Sequence, residues 1–212
     1  GRNSTGGLIN LYTYSPLDYQ NTMAKISYGS RNDLRLGVNH YQKISSHVGI
    51  NVAANYHHND GFFRNLYTGE KADNLQSANA KVGLAWQATP LWTMRLSALF
   101  DHSTQGGYPY GLYHATDNTA DAVNYNRPGY YRRNLFTAGM NWLYKGNAVH
   151  FNSQTSVQLS KDKQQIDQDF TPRDLFFTIT GLKQTLVSQE FTLRSATDNS
   201  RYHWMVGAFG FY

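Results

Sequence analysis

The sequence predicts an all-β fold: an antiparallel transmembrane β-barrel, of which this chain supplies about nine up-and-down strands. Three observations lead to this prediction. Apolar and polar residues alternate with period two along most of the chain, the connections between these stretches alternate between short and long, and the polar face of the strands carries charges. Stretches with helical periodicity are hard to find.

The composition narrows the chemistry that the chain can perform. Its 212 residues contain no Cys, which excludes disulfides, thiol nucleophiles and thiolate metal sites. Charged residues make up only 16% and aromatic residues 15%, a balance typical of β-structure with polar faces. No apolar run approaches the roughly 18 residues of a transmembrane helix. The net charge of +5 comes without a Lys/Arg cluster, so no nucleic-acid partner is expected.

The first three strands are predicted at residues 23–29, 33–42 and 47–57. Short turns at Ser30–Asn32 and Gln42–Ser46 join them. Each strand except the first is close to the roughly 9–11 residues that cross a bilayer at a tilt.

The next strands show the alternation most clearly. Two strands are predicted at residues 79–87 and 92–100, joined by a turn at Ala88–Pro90. Successive side chains of a strand point to opposite faces of the sheet. One face of this hairpin is therefore apolar and predicted to meet lipid, and it carries Val82, Leu84, Trp86, Trp92, Met94 and Leu96. The remaining strands are predicted at residues 135–144, 149–160, 184–195 and 202–212.

The connections form a second pattern. Long loops are predicted at residues 58–77, 102–132 and 161–182, and they alternate with short turns at 88–90, 145–147 and 197–201. Outer-membrane barrels have short turns at one end and longer loops at the other. A soluble sandwich has no reason to place all its long loops at one end.

The chemistry of the two faces supports a membrane barrel over a soluble one. Charged residues within the strands fall on the polar face, and they would be very costly inside a small dry core. A wide wet or plugged lumen accommodates them. These residues are Lys25, Arg35, Lys81, Arg95, Glu190 and Arg194. The apolar face ends, next to the short turns, in a predicted aromatic girdle of Trp86, Trp92, Trp142 and Tyr144.

Residues 1–16 carry a more specific signal. They read Gly-Arg-Asn-Ser-Thr-Gly-Gly-Leu-Ile-Asn-Leu-Tyr-Thr-Tyr-Ser-Pro, a polar, Gly-rich lead followed by an apolar extended run. This stretch resembles the segment at which the plug of a TonB-dependent outer-membrane receptor ends and its barrel begins. This chain also resembles barrel strands of the same family at residues 26–30, 188–195 and 204–209. It resembles loops of the Bacteroidetes-type receptors of this family at residues 60–63, 69–73 and 105–111.

The resemblance implies a barrel of about 22 strands around a plug. Such a receptor imports a scarce nutrient with energy passed from the inner membrane by TonB. Residues 1–16 would be the C-terminal end of the plug domain and residues 17–212 the N-terminal part of the barrel domain. The TonB-contacting segment, most of the plug and roughly thirteen strands would lie outside this sequence. We therefore expect a fragment of a receptor in the outer membrane of a Gram-negative bacterium, in contact with lipid or lipopolysaccharide.

The imported ligand is expected to be a ferric siderophore or another iron complex, because the opening motif looks more like that of iron-complex and cobalamin importers than that of glycan importers. A cobalamin or glycan importer of the same family is the alternative. A small self-contained barrel acting as an adhesin or enzyme, and a soluble β-sheet binding protein, are alternatives of other classes. No nucleophile motif and no phosphate-binding loop is present, so no enzyme activity, cofactor or metal site is predicted.

Ligand contacts are expected in the loop at residues 102–132, which is rich in aromatic residues. Aromatic and cationic side chains favour an aromatic or anionic ligand such as a ferric chelate. The alternative is that these rings only pack within the loop and at the membrane interface. The predicted ligand-binding residues are Tyr108, Tyr110, Tyr113, Tyr125, Arg127 and Tyr130.

Charges on the polar face give two further expectations. A contact between plug and barrel wall is predicted at Arg2, Glu190 and Arg194, because charges inside a lumen need partners. Alternatively, Glu190 pairs with Arg194 on its own strand. The strand cations outnumber the single acid Glu190, so we expect an anionic ligand, with an acidic plug as the other explanation.

Overall fold

The computed structural model describes residues 13–196 and 202–212. Nine strands form one antiparallel sheet in which each strand pairs with its neighbour in the chain, and two short strands form a separate hairpin between β5 and β8. The strands are β1 Asn21–Gly29, β2 Asp33–Lys43, β3 Val48–Asn59, β4 Leu75–Gln87, β5 Trp92–Gly107, β6 Tyr113–His114, β7 Thr119–Ala120, β8 Gly129–Lys145, β9 Val149–Asp167, β10 Phe177–Ser195 and β11 Met205–Phe211.

The only helical element of this part of the chain is the 3-10 helix Ser30–Asn32, which joins β1 to β2. Arg31 and Asn32 have positive φ angles of 62° and 54°, which allow the chain to reverse within three residues. Among the described residues, no helix has both the length and the apolar character needed to cross a membrane.

The register gives the sheet two chemically different faces. One row of directly opposed residues crosses the middle of the sheet and consists of Val52, Val82, Ala98, Ala138, Val157 and Val187. This row and every second row along the strands define the apolar face. Lys81 and Arg95 lie one row away, on the polar face. The predicted separation of the six apolar residues of β4 and β5 from these two cations is confirmed.

Large apolar side chains are exposed on the apolar face, as for Phe100, whose surface is 48% exposed. At the end next to the short connections, the ring centroid of Trp92 lies 6.1 Å from Trp142 and 5.0 Å from Tyr144. Trp86 contacts Trp142 at 6.2 Å. The structure thus brings the four residues of the predicted girdle together, in the position that interfacial aromatic residues take in membrane barrels.

The chain enters the sheet across the polar face. The carbonyl oxygen of Pro16 lies 2.5 Å from the position that a Cβ atom on Gly49 would occupy, so only glycine lets the segment lie this close to β3. Residues 13–16, Lys81 and Arg95 line a cavity of about 180 Å³ between this segment and the sheet. The polar face is therefore the one that holds the end of the N-terminal segment.

Five strands extend further toward the long loops than the sequence predicted. β4 begins at Leu75, β5 continues to Gly107, β8 begins at Gly129, β9 continues to Asp167 and β10 begins at Phe177. The added segments, such as His102–Gln105, carry polar residues on both faces, so the alternation that marks a half-buried strand disappears there. The predicted strand ends were wrong at these five places.

The long connections are correspondingly shorter than predicted. We call residues 60–74 the first loop, residues 108–128 the second loop and residues 168–176 the third loop. The second loop contains the β6–β7 hairpin. All three leave the same end of the sheet, because each follows a strand of odd position in an antiparallel order and precedes one of even position. Short connections at residues 88–91 and 146–148 separate the three loops, as predicted. The predicted short turn at 197–201 was wrong in length, because residues 196–204 join β10 to β11 and are as many as those of the third loop.

The two edges of the sheet are β1 and β11, which do not pair with each other. The nine described strands therefore form an open sheet and do not close a barrel by themselves. A small self-contained barrel would require this closure.

Candidate functional site

The three loops pack together at one end of the sheet. Ala72 of the first loop and Val123 and Tyr125 of the second form a buried apolar cluster. The amide of Leu66 donates to the carbonyl of Val123 at 2.8 Å. The amide of Asn126 donates to the carbonyl of Thr171, in the third loop, at 3.2 Å. The second loop is thus held on both sides by its neighbours.

Asn65 is the main polar link between the first two loops. Its side chain is buried, and its amide nitrogen donates to the carbonyl of Tyr125 at 2.8 Å. Its side-chain oxygen accepts from the amides of Tyr125 at 3.2 Å and Tyr67 at 3.1 Å. Both backbone groups of Tyr125 are therefore satisfied by one side chain, which imitates a strand partner.

Tyr125 supports the second loop from within. Only 2% of its surface is exposed, and its hydroxyl donates to the carbonyl of Gly107 at 3.2 Å. Burial raises the pKa of this hydroxyl to about 12, so it remains a donor at neutral pH. A contact between Tyr125 and a ligand would require the loop to open.

Arg127 fastens the second loop to the third. Its guanidinium donates two hydrogen bonds of 2.8 Å to the carboxylate of Asp174. The same group lies over the ring of Phe177, 3.8 Å from the centroid. A bidentate pair that is also stacked on a ring fixes the orientation of the arginine. In this state Arg127 joins loops rather than presenting a free cation.

The Arg127–Asp174 pair predicts a pH dependence. The hydrogen bonds from Arg127 lower the pKa of Asp174 below its ordinary value of 3.8. A carboxyl whose pKa is lowered by folding stabilises the fold above its ordinary pKa, and this contribution is lost as the pH falls through the lowered value. The attachment of the third loop should therefore be unchanged from neutral pH down to 3.8 and weaken below it. The effect will be small, because both side chains are exposed to solvent.

Pepsin cleavage of the third loop, normalised to an unstructured reference peptide, measures this loss because the protease works at acid pH. Cleavage of the Asp174→Asn variant should be fast across the whole acid range, because the loss of the pair no longer depends on pH. A wild-type loop whose cleavage rate does not change below pH 3.8 would contradict the prediction.

A row of aromatic rings lies where the second and third loops meet. The ring centroids of Tyr108 and Tyr110 are 5.9 Å apart, and Tyr110 meets Phe170 edge to face at 5.2 Å. Tyr108 has a positive φ of 65°, which breaks the strand alternation at the end of β5. Its hydroxyl accepts a hydrogen bond from the side chain of Gln164, which belongs to the polar face. We call Tyr108, Tyr110 and Phe170 the aromatic row.

Polar side chains continue from the aromatic row down the polar face. Tyr131 lies directly opposite Gln164, and Arg133 is two residues further along the same strand. The guanidinium of Arg133 donates to Asp101 at 3.0 Å. The site is thus a rim of aromatic rings above a hydrogen-bonding wall, an arrangement that can bind a flat, polar ligand by ring contacts and hydrogen bonds.

The other predicted ligand residues lie elsewhere. Tyr113 is in the β6–β7 hairpin, 64% exposed, and its hydroxyl donates to Asn118 at 2.7 Å. Tyr130 is a strand residue of β8 and lies on the side of the apolar face, because Tyr131 beside it lies on the polar face. Of the six predicted residues, the structure brings only Tyr108 and Tyr110 together on the polar side.

Sequence reasoning missed two members of the site, Phe170 of the aromatic row and Gln164 of the wall below it. Phe170 lies more than fifty positions from Tyr110 and has a positive φ of 52°, a conformation that no local pattern predicted. The strand that carries Gln164 was assigned to a loop, so its face could not be derived. Correct strand ends would have found Gln164, because parity places it opposite Tyr131.

The polar face is less cationic than the sequence predicted. Two further carboxylates lie on it, Asp33 at the start of β2 and Asp101 in the added part of β5, and both form ion pairs: Asp33 with Arg35 at 2.8 Å and Asp101 with Arg133 at 3.0 Å. The expectation that Glu190 is the single acid of this face was wrong. Lys25, Lys81, Arg95 and Arg194 form no ion pair with any described residue.

The predicted contact between plug and wall stays a prediction. Arg2 lies outside the described residues. Glu190 accepts a hydrogen bond from the hydroxyl of Thr192 at 3.4 Å and lies opposite Phe209 of β11. Within residues 13–196 and 202–212, Glu190 forms no ion pair with Arg194. The same residues contain no group of three or more potential metal ligands.

No family model matches the chain, but solved structures do. The ferric yersiniabactin uptake receptor FyuA of Yersinia pestis matches 90% of this chain at 16% identity, with a TM-score of 0.73. The ferric-catecholate import receptor Fiu of E. coli K12, in its closed form, matches 85% at 12% identity, with a TM-score of 0.61. The siderophore receptor PiuA of Acinetobacter baumannii matches 80% at 9% identity, with a TM-score of 0.55.

The chain has the fold of these receptors. The resemblance to TonB-dependent receptors that the sequence showed is thereby confirmed for the fold, while the Bacteroidetes type stays a prediction. The matched proteins are uptake and import receptors. The chain spans 30% of the length of FyuA, 29% of Fiu and 26% of PiuA.

Proposed function

We propose that this chain is part of a TonB-dependent outer-membrane receptor that imports a ferric siderophore or a similar iron chelate. The observation that carries the proposal is the aromatic row of Tyr108, Tyr110 and Phe170 at the loop end of the polar face, in a sheet with the fold of siderophore receptors. Catecholate and haem-like ligands are flat and aromatic, so rings at the entrance of a lumen provide suitable first contacts.

The domain assignment belongs to the same proposal. Residues 1–16 are the end of a plug and residues 17–212 begin the barrel wall. Support comes from the packing of Pro16 against Gly49 on the polar face, because a plug would occupy that side of the sheet. Energy reaches the receptor through TonB. The complete receptor lies in the outer membrane of a Gram-negative bacterium.

The charges of the polar face favour an anionic ligand. Lys25, Lys81 and Arg95 have no acidic partner among the described residues, whereas Arg35 and Arg133 of the same face form ion pairs with carboxylates. An excess of cations in a confined lumen raises the local concentration of anions. Ferric siderophores often carry net negative charge, which fits this wall. An acidic plug surface is the other source of negative charge that would satisfy it.

The test is ligand binding by the complete receptor that carries this segment. A panel of ferric siderophores, haem, cobalamin and glycans is titrated against the receptor, with intrinsic fluorescence as the readout. We expect one of the iron chelates to bind, and the Tyr108→Ala/Tyr110→Ala variant to bind it at least about tenfold more weakly, because two ring contacts are lost.

Tyr130→Ala is the matched control, since Tyr130 lies at the same end of the sheet but on the side of the apolar face. It should leave ligand affinity unchanged. If both variants weakened ligand binding equally, the ligand would not bind selectively to the aromatic row on the polar side. Binding of cobalamin or a glycan alone would overturn the iron-chelate assignment.

A further inference from the structure

Four cations cluster on the outer side of the loop end of β8, β9 and β10. Their register places them in two adjacent rows on the side of the apolar face: Lys161 lies directly opposite Lys183, and Arg132 lies directly opposite Lys163. All four side chains are exposed. We call Arg132, Lys161, Lys163 and Lys183 the basic patch.

The basic patch is unfavourable for the isolated sheet. Like charges directly opposite each other on neighbouring strands repel. None of the four forms an ion pair with a described residue. The intervening acid of β9, Asp162, lies on the polar face by strand parity. Glu70 of the first loop is the one acid among the described residues that line a cavity with Arg132, and Lys71 lines the same cavity. An anion bound from outside the sheet would relieve this repulsion.

Tyr130 holds two of the cations side by side. Its ring centroid lies 4.6 Å from the guanidinium carbon of Arg132 and 5.9 Å from the ammonium nitrogen of Lys163. A ring that contacts two cations orients both without neutralising them. The two donors are therefore positioned for one shared anion.

The patch begins where the apolar face ends. Phe136 and Leu159 oppose each other in the last apolar row, and Asn134 and Lys161 oppose each other in the next row on the same face. From Phe136 to Tyr144, the apolar part of β8 has about the 9–11 residues that a tilted strand needs to cross a bilayer. The cations thus stand at the level of the headgroups.

We infer that the basic patch binds the phosphate groups of lipid A, the phosphorylated glycolipid of the outer leaflet. The inference rests on the outer-membrane location that is part of the proposed function. The orientation follows from the loops, which in membrane barrels are long on the outer side. Phosphate fits the site because arginine and lysine together give planar and point-charge donors, and because the negative charge would remove the repulsion between the paired cations.

The test measures lipid A retained by the complete receptor after purification in mild detergent, with native mass spectrometry as the readout. The Lys161→Gln/Lys163→Gln variant should hold bis-phosphorylated lipid A about thirtyfold more weakly. The matched control, Lys43→Gln/Lys145→Gln, removes two exposed lysines at the opposite end of the sheet and should bind as wild type. The Lys161→Arg/Lys163→Arg variant should retain the lipid and shows that the strand tolerates substitution.

Two further arms separate the possible anions. Lipid A without its phosphates should bind wild type and variant equally weakly, and inorganic phosphate should not compete at millimolar concentration. The inference would be overturned if the Lys161→Gln/Lys163→Gln variant retained as much lipid A as wild type, or if the Lys43→Gln/Lys145→Gln control lost as much lipid A as that variant. Full displacement of lipid A by inorganic phosphate would also overturn it. If the Lys161→Gln/Lys163→Gln variant lost an acidic protein partner but retained lipid A as wild type does, the basic patch would be a protein interface and the inference would be overturned. Unchanged chelate binding by the patch variant separates this test from that of the proposed function.

Discussion

Replacing Val157 by arginine is expected to prevent most of the complete receptor from assembling in a membrane, whereas replacing Gln158 by arginine is expected to be tolerated. The two residues are neighbours at the middle of β9. Val157 lies between Ala138 and Val187 on the apolar face, and Gln158 lies between Thr137 and Leu186 on the polar face. Arginine at the midplane of a lipid-facing surface costs about 2–4 kcal/mol, while a polar lumen accommodates it.

Refolding of the complete receptor into lipid vesicles measures this difference. The folded fraction is read from heat-dependent gel migration across a urea series. The expected cost corresponds to a fall of about thirtyfold or more in the folding equilibrium constant for Val157→Arg. Equal tolerance of both substitutions would show that the apolar face does not meet lipid, and the reverse order of effects would show that the two faces have been exchanged.

This face assignment was accessible from the sequence, because the period of a strand is two and the register transmits it. Once Val82 and Trp86 are placed on one face, Lys81 must lie on the other, and a shift of one residue would invert the whole strand. Nine strands with alternating connections follow from the same regularity. The correct part of the prediction is therefore the part that depends on repetition along the chain.

The strand ends were not accessible in this way. At the loop end of the sheet, beyond the last apolar row, both faces of a strand are polar. β9 therefore continues through Lys161–Gln164 without an alternation of apolar and polar residues that would identify it as a strand. Tyr130 and Tyr131 show the consequence. Both were assigned to one loop, yet as strand neighbours they face opposite sides, one beside the basic patch and the other beside Gln164. Only backbone pairing distinguishes them.

The loop contacts were inaccessible for a different reason. Asn65 and Tyr125 are separated by 60 positions, and neither belongs to a periodic element. The aromatic composition of the second loop predicted ligand contacts there, but composition does not show that Tyr125 is buried or that Arg127 forms an ion pair with Asp174. In loops, the contact that decides exposure is made by a residue from another part of the chain.

Replacing Asn65 by leucine is expected to release the second loop, and this is the largest local effect that the structure predicts. Leucine keeps the volume of the side chain but removes the hydrogen bonds to the carbonyl and amide of Tyr125. Both backbone groups would be left buried without a partner, at a combined cost of about 2–4 kcal/mol. The free energy of opening the loop falls by that amount, while the nine-stranded sheet is unaffected.

Hydrogen exchange of the complete receptor, resolved by mass spectrometry, tests this expectation. Amides of the first and second loops should exchange about thirtyfold faster or more in the Asn65→Leu variant, and amides of β4 and β5 should not change. Asn124→Leu is the control, because Asn124 precedes Tyr125 and is half-buried, but its side chain forms no hydrogen bond within the described residues. Unchanged exchange in the Asn65 variant would mean that the apolar cluster alone holds the loop. Faster exchange with unchanged chelate affinity would mean that the aromatic row keeps its position through Gln164 without support from Tyr125.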